Sequence, residues 1–412
     1  MCASIKKHMV FCFPYRGAGG VPLLFLRLAI ELSKQNHHIS IVDYKNGYMI
    51  KNLPPQTPIK TIYYTDNTSV KIPNNAILIF QTMTPWSIYP SLDIPKKTYL
   101  FFITTIPTNL FPALPGIRSK TSTLNWLTKL LWSTILRSEY TKCKTFLELS
   151  LKENAISFLD TNISCNIENA FNLTLPNATY IPLFSDEKKE NSYLSHKRPV
   201  NEIHLAWVGR IADFKIHILN QTIKDIEHYA THFNQKITFH IIGSGNKMHR
   251  LHSPKTHNIS VIKKNHISPQ NLPDYLLKTH MVFAMGTSAL ESAKLGIPTI
   301  RLDYSYAPVS SNYLYKYLFD IKGHSLGDQI GTPCYQKGTH TMKNILKEIK
   351  ENPSHLSQKT FNFYQKNHSI KSSTSLFSHH IKKTTLIWNK LSHSKLTNSL
   401  FFSMWKKLQK YC

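Results

Sequence analysis

Acidic side chains are scarce in this chain of 412 residues, where 23 Asp and Glu face 50 Lys and Arg for a formal charge of +27. A positive field of that size draws phosphates or anionic lipid, so the expected partners are anionic. Arginine is scarce as well. It supplies eight of the 50 cations, at Arg16, Arg27, Arg118, Arg137, Arg198, Arg210, Arg250 and Arg301, and Lys supplies the other 42. Sequence-specific nucleic-acid readers depend on the bidentate fork of Arg and gather it in one basic-aromatic module. A Lys excess spread over the whole chain therefore argues against nucleic acid as a partner. Cysteine is sparse and unclustered: Cys2, Cys12, Cys143, Cys165, Cys334 and Cys412 form no C-x-x-C pair. That fits a reducing, cytoplasmic compartment better than a disulfide-stapled secreted domain. No stretch reaches the roughly 20 apolar residues of a membrane-spanning helix. The opening apolar run is short and broken by Pro14, so neither a spanning segment nor an export signal is expected. Internal repeats and long low-complexity tracts are also absent.

Apolar residues are plentiful by contrast, at 42% of the chain with 20 Tyr and 21 Phe, enough surface to offset chain entropy in packed cores. At this length two lobes are expected. Apolar runs at 8–14, 38–43, 76–80 and 98–103 read as strands, and 21–33 as a helix with Pro22 in its opening turn. Their order is that of a β-α-β lobe with a mostly parallel sheet. A polar stretch over 185–199 loses all periodicity and reads as a linker. The alternation then restarts, with strands over 202–209, 237–243, 259–262, 281–284 and 298–302 and helices over 215–229, 268–278 and 288–295. The expected organisation is a Rossmann-like domain over 1–190, a second over 200–345, and a basic helical segment over 346–412 that closes the fold across the lobes. That segment carries Trp388, Phe401, Phe402, Met404 and Trp405 near its end. Within the first lobe, Leu124, Leu127, Leu131 and Ile135 recur at helical spacing beside Trp126 and Trp132, among Lys129, Arg137, Lys142 and Lys144. Two readings stand: a helix lying on an anionic membrane surface, or one buried in the lobe's own core.

Open α/β sheets bind ligands outside the carboxyl ends of their strands, so the turns after the strands carry the chemistry. Gly17, Gly19 and Gly20 follow the first strand. Glycine there permits close backbone approach, and the next helix offers unpaired N–H groups to an anion or a polar sugar; a tight turn without a ligand explains the same residues. In the second lobe Arg210 ends a strand and Lys215 follows five residues on. Two such cations grip a diphosphate from two sides, or are simply solvated surface charges. Gly243-Ser244-Gly245 ends the next strand with room for a ligand. The fourth turn is Met285-Gly286-Thr287-Ser288, leading to Glu291. Gly286, Thr287 and Ser288 present helix N–H groups to phosphate, and Glu291 accepts from the two hydroxyls of a ribose. Ser288 and Glu291 also have the spacing of a capping box, which satisfies the helix's own N–H groups and needs no ligand. No D-x-D pair follows a strand. Neither a metal nor another cofactor is therefore expected, and a leaving diphosphate would be stabilised by the fixed charge of Arg210, Lys215 and helix N-termini.

Over 202–303 these features run in order: V-G-R with a downstream Lys, I-I-G-S-G, a P-x-x-L-x-x-Y-L helix at 269–276, G-T-S-A-L-E and G-I-P. The series resembles the donor-binding domain of GT-B glycosyltransferases, particularly the family 4-like, group 1 enzymes that build bacterial surface polysaccharides. The resemblance implies an α/β fold of two Rossmann-like β/α/β domains facing a central cleft, the first binding the acceptor. It implies transfer of a sugar from a nucleotide-sugar donor to a glycan or lipid-linked acceptor, in lipopolysaccharide or capsule synthesis. The missing D-x-D pair makes metal-independent transfer the expectation, and the basic charge with Trp126 and Trp132 makes a peripheral place on the inner face of the cytoplasmic membrane another. Arg210 and Lys215 would bind the donor diphosphate, Gly286, Thr287 and Ser288 would approach it by backbone, Glu291 would hold the ribose, and the Gly17–Gly20 loop would lie near donor and acceptor. Two positions depart from the family. Phe283 stands where many retaining members have a second Glu, and the stretch 103–112 lacks the usual His. Thr104, Thr105 and Asn109 only orient groups, so no catalytic base is singled out. Two other readings stay open: a nucleotide-sugar epimerase or hydrolase on the same fold, and a non-catalytic protein held to a membrane surface by its charge.

Overall fold

A computed structural model of the chain describes residues 8–113, 126–399 and 402–403. The chain divides into two compact units. One runs to Ile181 and resumes at Thr374, and the other is Pro182–Ser373.

The first unit contains β1 (His8–Cys12), β2 (Ile39–Asp43), β3 (Ile59–Tyr63), β4 (Val70–Lys71), β5 (Ala76–Gln81), β6 (Leu92–Asp93), β7 (Tyr99–Thr104) and β8 (Ile156–Phe158). β4 and β6 pair with each other, and the other six form one sheet in the order β3-β2-β1-β5-β7-β8. Every pairing in that sheet is parallel. Parallel strands are covered on both faces, which is why β5 reads A-I-L-I-F-Q without alternation and is buried at every position. The helices are α1 (Gly20–Lys34), α2 (Tyr48–Lys51), α3 (Trp126–Ser133), α4 (Arg137–Lys152) and α5 (Thr161–Phe171). α1 buries Leu24, Phe25, Leu28, Ala29 and Leu32, a stripe one helical face wide. It stops at Asn36, whose φ of 60° lets His37 N–H reach Leu32 O at 3.2 Å and Asn36 N–H reach Ser33 O at 3.1 Å. This is a Schellman closure with Asn in the left-handed place usually taken by Gly.

Trp132 settles one of the open alternatives for its own side chain. It is 4% exposed, donates its indole N–H to Pro112 O at 2.9 Å, and stacks on Tyr140 and Phe171. A Trp with its ring stacked and its N–H satisfied inside the unit is core, not an interfacial anchor. Leu130 and Ile135 are the exposed apolar residues there, at 51% and 55%. Leu124, the side chains of Trp126 and Leu127, and Phe401, Met404 and Trp405 lie outside the described residues. Cys12 and Cys143 are buried free thiols.

The second unit repeats the plan with β9 (Ile203–Val208), β10 (Ile237–Ile242), β11 (Ile259–Lys264), β12 (Met281–Ala284), β13 (Thr299–Arg301) and β14 (Lys316–Tyr317). The order is β11-β10-β9-β12-β13-β14, parallel except for the antiparallel β14. Its helices are α6 (Asp213–His232), α7 (Leu272–Leu276), α8 (Thr287–Ala293), α9 (Met342–Glu351) and α10 (Pro353–Asn367). The chain returns to the first unit along α11 (Ile370–Ile381) and adds α12 (Trp388–His393). α4, α5 and α6 also end on left-handed Asn, at Asn154, Asn172 and Asn234, so a chain with only 14 Gly closes four helices without spending one. The polar stretch 185–199 belongs to this unit. It is anchored by Tyr193, which is 1% exposed and donates its hydroxyl to His280 O at 3.2 Å. The Arg198 guanidinium lies 3.4 Å over the Tyr193 ring, and Asn191 donates to Ser357 Oγ at 2.8 Å. One buried aromatic among polar neighbours leaves no periodic trace in a sequence.

Candidate functional site

Strand order reverses direction between β9 and β12 in the second unit, and between β1 and β5 in the first. Crevices outside the carboxyl ends of strands at such switch points are where open α/β sheets bind ligands. The turns singled out from sequence fall at these points. β9 runs into Gly209 and Arg210, and β12 into Met285 and Gly286. Val208 and Ala284 are register partners, so the two turns leave the sheet side by side. In the first unit Gly17, Gly19 and Gly20 follow β1 and open α1.

Arg210 is exposed and Lys215, in the first turn of α6, is half-buried. The Lys215 ammonium doubles back to lie 3.5 Å from where a Cβ on Gly209 would stand. Burial, and then the neighbouring Arg210 cation, hold its pKa below the ordinary lysine value. Neither cation has an ion pair or hydrogen bond among the described residues, although Asp213 beside them pairs with Lys247 at 3.3 Å. Two adjacent cations, one partly desolvated and both without a counter-ion, are electrostatically incomplete and favour an anion.

Gly243 and Gly245 have a different role from the one their sequence context predicts. A Cβ on Gly243 would stand 2.1 Å from Gly209 O, and one on Gly245 2.0 Å from Ile211 O. The two segments are tied by Gly209 N–H to Ile242 O and Ile211 N–H to Ser244 O, each 3.0 Å. The space at this strand end is therefore filled by the Arg210 turn, which the glycines admit and hold.

Gly286 differs again. It caps α8 with φ 63°, and no side chain caps the helix. A Cβ there meets nothing within 4 Å, so the position faces open space. Its N–H donates to Leu326 O at 2.8 Å. α8 begins at Thr287, which makes Ser288 the second helical residue instead of the cap. The capping box is accordingly not formed. Glu291 pairs instead with Lys294 one turn further on. Thr287 is exposed, and Ser288 and Glu291 are half-buried. Phe283 lies inside β12, fully buried and edge-on to Phe239 and Tyr315. A carboxylate at that position would sit in the core, so the departure at 283 is a strand residue and not a lost group at the turn.

In the first unit the glycine loop is held by Asp43 at the end of β2. Its carboxylate accepts from the N–H groups of Tyr15 and Tyr44 at 2.8 Å and of Met49 at 2.9 Å. Burial raises the Asp43 pKa, and these N–H donors offset part of the rise. Arg16 lies 3.6 Å over the Tyr44 ring and donates to Asn46 Oδ1 at 3.2 Å. Beyond the ends of β5 and β7 the side chains are neutral: Gln81 donates to Thr105 Oγ1 at 2.7 Å, and the Thr82 and Thr104 hydroxyls share a bond of 2.8 Å. A Cβ on Gly20 would meet nothing within 4 Å, so packing does not demand glycine there. A cavity of about 620 Å³ elsewhere in the second unit is lined by Tyr229, Phe233, Tyr313 and Lys343 among others, and by none of the residues singled out from sequence.

No helix among the described residues is long and apolar enough to cross a membrane. No protein-family model matches the chain, and no curated protein matches it. Solved structures do. A glycosyltransferase from Rickettsia africae ESF-5 superposes with a TM-score of 0.51 at 10% identity, covering 92% of this chain and 98% of its own. The apo form of WaaB, a lipopolysaccharide outer core galactosyltransferase, superposes with a TM-score of 0.50 at 10% identity, covering 91% and 99%. At that identity the likeness concerns the fold: two Rossmann-like domains of the GT-B type.

Proposed function

We propose that this chain of GT-B fold is a glycosyltransferase that binds a nucleotide-sugar donor in its second unit. It transfers the sugar to a glycan or lipid-linked acceptor in bacterial surface-polysaccharide synthesis. The observation that carries the proposal is the unpaired couple Arg210 and Lys215 at the β9/β12 switch point. A diphosphate supplies the missing counter-charge, and each charge-assisted hydrogen bond to it contributes about 1.5–3 kcal/mol. The same two cations stabilise the charge that grows on the diphosphate as the glycosidic bond to it breaks, so the transfer needs no metal. Gly286, Thr287 and Ser288 lie beside the diphosphate, with the open side of Gly286 admitting it, and Glu291 takes the ribose hydroxyls. The first unit, with Gly17, Gly19 and Gly20 at its own switch point, takes the acceptor. The two fold neighbours being glycosyltransferases supports the reaction class, and one being a lipopolysaccharide galactosyltransferase supports the pathway. Peripheral attachment to an anionic membrane surface is part of the proposal. It is supported by the net charge of +27 and by the exposed Leu130 and Ile135 beside Lys129 and Arg137.

The test is incubation with UDP-, GDP- and CMP-linked sugars, with and without bacterial membrane extract, in buffer containing EDTA. Acceptor-dependent release of the nucleotide is the expected result. Release without extract would point to a hydrolase, interconversion of donors without release to an epimerase, and neither outcome to a protein that only binds.

A further inference from the structure

Four charged side chains are buried together next to the proposed donor site. Arg301, Asp303 and Asp328 are at most 1% exposed and Lys316 is 5% exposed. Arg301 bridges both carboxylates, with Nη2 at 2.5 Å from Asp303 Oδ1 and Nη1 at 3.0 Å from Asp328 Oδ2. Lys316 Nζ lies 3.8 Å from Asp303 Oδ2 and 3.9 Å from Asp328 Oδ2, the latter an oxygen that Arg301 also holds. Tyr313 donates to Asp303 at 2.9 Å, Ser325 donates to Asp328 at 2.6 Å, and Asp328 N–H donates to Asp303 at 3.0 Å. The charges balance, two against two, but taking four ions out of water is costly. Apolar replacements of such networks are often as stable or more so, so net stability is a poor reason for this one.

What the network holds offers a better reason. Arg301 ends β13, and the residues after it reach both halves of the donor site. Leu302 N–H donates to Ala284 O at 2.9 Å, at the start of the Gly286 turn. Ser305 N–H donates to Phe214 O at 3.0 Å, the residue before Lys215, and the Tyr304 ring stands edge-on to the Phe214 ring. Asp328 belongs to the loop whose Leu326 carbonyl takes the Gly286 N–H at 2.8 Å, and its own carbonyl takes Tyr304 N–H at 2.9 Å. One clamped segment therefore touches the Gly286 turn, the loop beneath it and the start of α6.

We infer that Arg301, Asp303, Lys316 and Asp328 are positioning residues that fix the Gly286 turn and the Lys215 end of α6 in one spacing suited to a diphosphate. The inference rests on the donor-site reading above. Binding sites tolerate little looseness, because a displacement near 1 Å in the contacting groups forfeits much of their interaction.

Isothermal titration with UDP, GDP and inorganic pyrophosphate would compare wild type, Arg301→Lys, Ser325→Ala and Ile349→Val, the last a core change on α9 that serves as a stability control. Arg301→Lys keeps the charge but cannot bridge both carboxylates, and it should weaken the best probe about tenfold. Ser325→Ala, which removes one hydroxyl and is expected to fold in any case, should weaken it by a smaller factor. Ile349→Val should lower Tm and leave Kd unchanged. In a Lys215→Ala background the Arg301→Lys effect should shrink, because it acts through the placement of Lys215. Wild-type affinity in both Arg301→Lys and Ser325→Ala, or full additivity with Lys215→Ala, would overturn the inference. If wild type binds none of the probes, the donor reading fails. Amide exchange then decides the bracing by itself: faster exchange at Gly286 and Ser305 in Arg301→Lys supports it, and unchanged exchange sinks it.

Discussion

Replacing Lys215 by Met should weaken the protein's hold on a nucleoside diphosphate while raising the stability of the free protein. The two effects have opposite signs for one physical reason. The Lys215 ammonium is half-buried, has Arg210 as its charged neighbour, and has no carboxylate partner among the described residues. Methionine keeps most of the apolar stem and removes the charge, so it relieves both the desolvation of the ammonium and its repulsion by Arg210. After solvent screening that relief is on the order of 1 kcal/mol, or about 2–4 °C in Tm for a domain of this size. With ligand present the sign reverses. Losing one charge-assisted contact to phosphate costs about 1.5–3 kcal/mol, which is about a 10- to 150-fold rise in Kd. Thermal denaturation with and without UDP or GDP, together with calorimetric titration, reads both quantities on one sample. A lower Tm with unchanged Kd would refute the reasoning, because it would make the ammonium a structural group.

Glycine positions offer a second contrast. Gly286→Ala should cost about 1 kcal/mol from its left-handed φ of 63°, whereas Gly20→Ala, with a free Cβ position, should leave Tm unchanged and lower transfer activity. Loss of Tm at Gly20→Ala would mean that the loop is packed instead of open. Gly243→Ala drives a Cβ against Gly209 O and should cost several kcal/mol or prevent folding; a wild-type melting curve would contradict the backbone contact. Acid should destabilise the protein through its buried histidines. His368 is fully buried and driven to a pKa of about 4 by desolvation, and His240 and His8 are likewise held at about 4. The unfolded value is about 6.5, so the unfolded chain binds more protons between about pH 6.5 and 4. Stability is therefore complete above that window and lost as pH falls through it. His368→Gln should reduce the loss in Tm between about pH 7 and 5, and an identical loss would remove His368 from the account.

The parallel alternation was legible because strands covered on both faces are unbroken apolar runs, as in β5 and β12, and because Gly and Arg punctuate their ends. The placement of Arg210 and Gly286 was legible for the same reason, since residues after a strand at a switch point must face its crevice. Other features were not. Gly243 and Gly245 read as a ligand turn, yet the carbonyls they accommodate belong to residues more than 30 positions away in sequence. Ser288 and Glu291 have capping-box spacing, but the helix is capped two residues earlier, by Gly286, whose positive φ no spacing rule displays. Trp132 reads equally as interfacial or core until Tyr140 and Phe171 stand beside it. Arg301 was one more residue in a strand, because its partners Lys316 and Asp328 come together only through tertiary folding.

The central claim is that the second unit holds a nucleotide-sugar through Arg210 and Lys215. Its most direct test is a thermal-shift screen of UDP-, GDP-, ADP- and CMP-sugars against wild type and an Arg210→Ala, Lys215→Ala double variant. One nucleotide class should stabilise wild type by about 2.7 kcal/mol at a ligand concentration near 100 times Kd, and the double variant should show little or none of that gain. An equal gain in the double variant, or none in wild type with any donor, would contradict the account.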